Sequence, residues 1–66
     1  MTEIGERVKM IREDQFLSVL ELARLAGITR SAIYGVESGA HAPNAKTIRR
    51  LAAALGVAPQ DLVKGT

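Results

Sequence analysis

Residues that stop or start helices recur along this chain at intervals too short for any long element, and this punctuation limits its folding more than any other feature. Gly27, Gly39 and Gly56 can each adopt the conformation that closes a helix, while Ser18, Thr29 and Asn44 can each accept from the free N–H groups of a following first turn. Between these marks the apolar residues return with helical spacing, and no stretch alternates as a strand does. The fold class is therefore all-α, a compact domain of short helices.

A first helix is predicted from about Glu3 to Asp14, with Ile4, Val8 and Ile11 on one apolar stripe. Phe16 and Leu17 are expected to enter the core from the connection that follows. Ser18 and Glu21 have capping-box spacing, so a second helix starts near Val19, buries Leu22, Ala23, Leu25 and Ala26, and ends at Gly27. Thr29 caps a third helix, roughly Arg30 to Ser38, whose inward residues are Ile33 and Val36. Pro43 disfavours helix at Ala42, and Asn44 caps a fourth, Ala45 to Leu55, carrying Ile48, Leu51, Ala52 and Leu55 inward. Pro59 suits the first turn of a short fifth helix through Val63. A chain of 66 residues has material for one core, so residues 1–66 are read as a single domain with its core at about 4–63.

There is no cysteine, which removes disulfides and thiolate metal sites and suits a cytoplasmic protein. Charges interrupt the apolar stretches every few residues, and the first ten residues, "MTEIGERVKM", mix acids with bases. Neither a membrane span nor a secretory leader is expected.

The net charge of +2 is small but unevenly placed. Between Leu22 and Arg50 the basic residues Arg24, Arg30, Lys46, Arg49 and Arg50 meet a single acid, Glu37. A basic centre of this kind suits a polyanion, although arginines and lysines that merely solvate helix faces would look the same. Geometry supplies the missing support. Two helices joined by a turn of about three residues around Gly27 make a helix-turn-helix over residues 19–38, the arrangement that lays its second helix in the major groove of DNA. Ala23 is small where the helices cross, and Ile28, Ile33 and Val36 can lock the second helix in place. A plain helical hairpin would use the same alanine and glycine.

The segments "IGERVKMIRE", "LSVLELARLAGITRSAIYGVESG" and "TIRRLAAALGVAPQDL", taken in this order and spacing, resemble the Cro/C1-type helix-turn-helix domain of phage repressors and small bacterial regulators. The resemblance covers Ile4 to Val63. It implies a five-helix, lambda-repressor-like domain that binds double-stranded DNA as a two-fold dimer, and a structural ion pair between Arg12 and Glu37. Three positions depart from the family pattern. Val19 stands where glutamine often helps to hold the DNA backbone, Phe16 where glycine is common, and Gly35 where a polar or basic side chain is common.

With about 100° per residue and Arg30 at zero, Tyr34, Ser38, Ser31 and Gly35 fall within roughly the next 140° of the third helix, away from Ile33 and Val36. The candidate base readers are thus Thr29, Arg30, Ser31, Tyr34 and Gly35: Arg30 can contact guanine bidentately, Ser31 can donate or accept, and Tyr34 can pack on a thymine methyl or reach a phosphate. A solvated Arg30 and a half-buried Tyr34 are the plainer readings. Candidate contacts to the DNA backbone are Ser18, Val19, Ser38, His41 and Lys46, with Val19 contributing its N–H at a helix start. Arg49 and Arg50 are equally consistent with ordinary solvent-facing residues.

Gly35 is the oddest choice, since a glycine inside a helix costs about 1 kcal/mol relative to alanine. One reading is that it lets the helix approach the groove and lets Tyr34 swing across the gap; the other is a neutral surface glycine. Either way Gly35→Ala is expected to raise the melting temperature.

The lone His41 has neither a cysteine nor a second histidine to join, and Glu13 and Asp14 share an exposed helix end rather than a pocket. No metal, cofactor, small-molecule ligand or catalysis is expected. The function read from the sequence is that of a DNA-binding transcriptional regulator, a repressor or autoregulator, dimerising through the C-terminal part where Val57, Leu62 and Val63 exceed the needs of the core. The alternative, from another class, is a protein-interaction module or antitoxin-like subunit with the same fold.

Overall fold

Between Asp14 and Pro59 the helices begin and end where nearby side chains and turns close their hydrogen bonds. The computed structural model describes residues 3–63, so the domain ends at 1 and 66 lie outside the described residues. Five helices follow one another: α1 (Glu3–Asp14), α2 (Val19–Ala26), α3 (Arg30–Ser38), α4 (Ala45–Leu55) and α5 (Pro59–Val63). Ser18 and Glu21 form the capping box of α2, with the Glu21 N–H donating to Ser18 Oγ at 3.0 Å and the Ser18 N–H to Glu21 Oε1 at 2.8 Å. Thr29 Oγ1 accepts from Ala32 N at 3.1 Å to open α3, and Asn44 Oδ1 from Thr47 N at 2.8 Å to open α4. A cap of this type contributes about 1 kcal/mol.

The core is built on one side chain from every helix. Val8, Leu22, Ile33, Leu51 and Leu62 have 0% of their surface exposed, and burying each contributes about 1.5–3 kcal/mol. Around this cluster α1 packs on α3, α4 and α5, while α2 lies against α3 and α4. Two polar links join segments distant in sequence. Arg7 Nε donates to the Asp61 carbonyl at 2.6 Å, and Gln15 Nε2 to the Leu55 carbonyl at 2.7 Å, which satisfies an acceptor left over at the end of α4.

Three expectations about burial are corrected. Phe16 does not enter the core: it is 92% exposed and has φ +57°. The N–H groups of Phe16 and Leu17 donate back to the Glu13 and Arg12 carbonyls at 3.0 and 3.1 Å, a closure that needs a left-handed residue at position 16. That residue's side chain is thrown outward, and Leu17 packs against the core instead. Leu25 is 61% exposed, because the buried arc of α2 centres on Ala26 and Leu25 lies about 100° around the helix from it. Leu62, expected at a dimer surface, belongs wholly to the core, whereas Val63 is 52% exposed.

Candidate nucleic-acid interface

The turn between α2 and α3 works because Gly27 takes φ +71°, a region that costs an L side chain about 1–2 kcal/mol. The chain then bends back sharply enough for the Ile28 N–H to donate to the Ala23 carbonyl at 3.0 Å. Arg50 Nη1 donates to the Gly27 carbonyl at 3.1 Å, so Arg50 serves the turn from α4. Ala23, Ala26, Ile33 and Val36 are buried where the two helices meet. With that face locked, the opposite arc of α3 is turned outward.

On that arc Thr29, Arg30 and Ser31 are exposed, and Tyr34 is 60% exposed. The Tyr34 ring borders a shallow groove with Lys9 of α1, Val19 of α2 and Ser38. Lys9 was not among the residues singled out from the sequence. The signal was available, since Lys9 and Arg12 lie three apart on α1 and therefore share a face.

Arg12 and Glu37 hold α1 to α3 at the bottom of this groove. Arg12 Nε donates to Glu37 Oε2 at 2.7 Å and Nη2 to Oε1 at 3.1 Å, while Nη1 donates to the Leu17 carbonyl at 2.9 Å. The hydrogen bonds that Arg12 donates to the Glu37 carboxylate raise the Arg12 pKa above its already high ordinary value, against the opposing effect of burial. One guanidinium thus fixes α1, α3 and the α1–α2 connection together.

The candidate backbone contacts separate by what their polar groups already do. Ser18 is committed to the α2 cap, and its N–H and then its hydroxyl hold the Glu21 carboxyl below the usual carboxylate range. An anion at the start of α2 is left the N–H groups of Val19 and Leu20, which no helical carbonyl can reach. Val19 itself is half-buried against the core. Ser38, exposed at the end of α3, uses its hydroxyl locally as well: it donates to the Gly35 carbonyl at 3.3 Å and accepts from Ala40 N at 3.3 Å. Lys46 is exposed in the first turn of α4, and His41 is exposed in the loop after α3.

Gly35 is the largest departure. The wheel places it on the outward arc, yet it is buried, and a Cβ built there would lie 2.5 Å from His41 Cδ2. It is neither an open gap for Tyr34 nor a bare surface glycine. The His41 ring covers it.

A family model described as helix-turn-helix matches residues 8–62. The chain is 32% identical over 60 residues to the immunity repressor protein of Bacillus phage phi105, an alignment covering 91% of this chain and 42% of that protein. It is 39% identical over 62 residues to the SPbeta prophage-derived uncharacterized HTH-type transcriptional regulator YonR of Bacillus subtilis, covering 94% of this chain and 57% of that one. It thus spans about half the length of these curated relatives. Among solved structures it is similar to the restriction-modification controller protein C.AhdI from Aeromonas hydrophila, with a TM-score of 0.89 and 36% identity over 92% of each chain. It is also similar to the P22 c2 repressor protein crystallised with a synthetic operator, with a TM-score of 0.91 and 27% identity over 100% of each chain.

Proposed function

The chain belongs to the Cro/C1-type helix-turn-helix family, and from that premise we propose that it is a sequence-specific DNA-binding transcriptional regulator, a repressor or autoregulator that binds an inverted-repeat operator as a homodimer. The observation that carries the reading is the outward arc of α3, where Thr29, Arg30, Ser31 and Tyr34 stand exposed on a helix whose other face is locked into the core. An element so held can enter a major groove as a rigid body, with its N-terminal residues foremost. Arg30 reads guanine, Ser31 and Thr29 donate to or accept from neighbouring edges, and Tyr34 packs on a thymine methyl or reaches a phosphate. Lys46, Lys9 and the Val19 N–H neutralise or hold the flanking backbone. The similarity to a repressor solved on its operator supports this placement.

Dimerisation uses the α4–α5 face, where Ala45, Ile48, Pro59 and Val63 line an open apolar depression with Arg49 and Gln60 at its edge. One short recognition helix covers too few base pairs for useful specificity, and a two-fold partner doubles the reading. No chemistry is assigned to any residue, and the protein acts in the cytoplasm. Among the described residues no helix is long and apolar enough to cross a membrane.

Selection of bound duplexes from a random pool tests the reading. The expected product is an inverted repeat with half-sites about 10 bp apart, bound with an affinity that falls steeply with salt. A pool that enriches no sequence, or a complex that sediments with a single protomer on its selected DNA, overturns it.

A further inference from the structure

The loop that leaves α3 folds back and sits on the helix. Gly39 turns the chain at φ +81°, after which the His41 N–H donates to the Gly35 carbonyl at 3.1 Å. The Ser38 hydroxyl donates to the same oxygen at 3.3 Å, so one carbonyl anchors the loop twice. The imidazole then lies where a side chain of residue 35 would begin: an added Cβ would be 2.5 Å from Cδ2 and 3.4 Å from Cγ. Nothing larger than hydrogen at position 35 is compatible with this seat. Gly35 is buried on an outward arc, and the residue that buries it is itself exposed. The outermost group at this level of α3 is therefore an imidazole supplied by the loop.

We propose that His41 is a specificity-determining residue of the DNA interface, its imidazole replacing the side chain that α3 lacks at Gly35 and donating to an acceptor on a base edge. The inference rests on the proposed function, since it takes α3 to lie in the major groove. A ring lying against the helix backbone projects no farther than a side chain of the helix would. It therefore travels into the groove with α3 rather than standing off on the phosphate ridge. An imidazole carries at least one N–H in every protonation state, and guanine N7 and O6, adenine N7 and thymine O4 are the acceptors presented there. This arrangement also gives the glycine a purpose: its cost to the helix is the condition for seating the ring.

The test compares the DNA selected by the wild-type chain with that selected by His41→Ala, Gly35→Ala and the double variant, with thermal unfolding of each. His41→Ala is expected to keep the fold and lose about five- to tenfold preference at one base pair of each half-site. Gly35→Ala displaces the ring and loses the same preference, and the double variant selects as His41→Ala alone does. Uniform weakening on all sequences by His41→Ala makes the ring a phosphate contact and overturns the proposal. So does a Gly35→Ala effect at a different base pair, or one that persists in the His41→Ala background. A wild-type chain that enriches no sequence defeats the functional reading and this inference together, whereas unchanged selection by His41→Ala defeats this inference alone.

Discussion

Replacing Glu37 by glutamine keeps the shape of the side chain and removes the charge that Arg12 faces. The pair makes two hydrogen bonds, at 2.7 and 3.1 Å, between side chains that are only 11% and 8% exposed. The amide oxygen can still accept one of them. The loss is one charge-assisted hydrogen bond, about 1.5–3 kcal/mol, together with a guanidinium left largely out of water without its counter-charge. Breaking a fully buried pair costs about 3–5 kcal/mol, and the remaining water contact brings the expectation here to about 2–4 kcal/mol. In a domain of this size 1 kcal/mol moves the melting temperature by about 4–8 °C, so Glu37→Gln is expected to lower it by roughly 8–32 °C in a circular-dichroism melt at neutral pH. Arg12→Met with Glu37→Met leaves no unpaired charge and is expected to melt above the single variant. A Glu37→Gln protein melting within about 3 °C of wild type, or a double variant less stable than the single one, refutes the reasoning.

Reading and holding separate in two further variants. Arg30→Ala is expected to relax preference at one or two base pairs at a cost of about 1–3 kcal/mol, and Lys46→Ala to weaken all sequences alike and lower the salt slope by about one, both measured by titration on operator and random duplexes. Phe16→Gly relieves a left-handed aromatic residue that buries almost nothing, and is expected to raise stability by up to about 1 kcal/mol in denaturant unfolding; a loss instead would mean that the ring has a packing role. Leu62→Ala is expected to cost about 2–5 kcal/mol through a core cavity. Val63→Asp is expected to leave the melting temperature nearly unchanged but raise the dimer dissociation constant in sedimentation, and equal effects of the two on folding would contradict the division between core and surface.

The helix limits were legible because their causes are local. Ser18, Thr29 and Asn44 each cap N–H groups within three residues, and Gly27, Gly39 and Gly56 each close the helix just before them. What was not legible depended on direction in space. Leu25 and Leu62 are both apolar residues on short helices, and only the positions of neighbouring helices decide that one faces water and the other the core. The outward arc of α3 could be drawn from a wheel, and Arg30, Ser31 and Tyr34 are exposed on it. A wheel contains no loop, so it could not show His41 lying over Gly35. The Phe16 turn had a visible clue in an aromatic at a position suited to glycine, but the clue does not say whether the backbone or the side chain yields. Here the backbone keeps the left-handed turn and the side chain is exposed.

The seam between α1 and α5 also gives this domain a moment of birth. Arg7 and Asp61 are 54 residues apart in sequence, and Val8 and Leu62 meet in the same cluster. A chain is synthesised from its N-terminus at about 5–20 residues per second, so α2 and α3 emerge from the ribosome well before α5 can close over them. Until Leu62 is free, the pocket around Val8 stays open and the platform that aims α3 is incomplete. The firm seating of α3 therefore waits for Leu62, although α3 itself is made earlier.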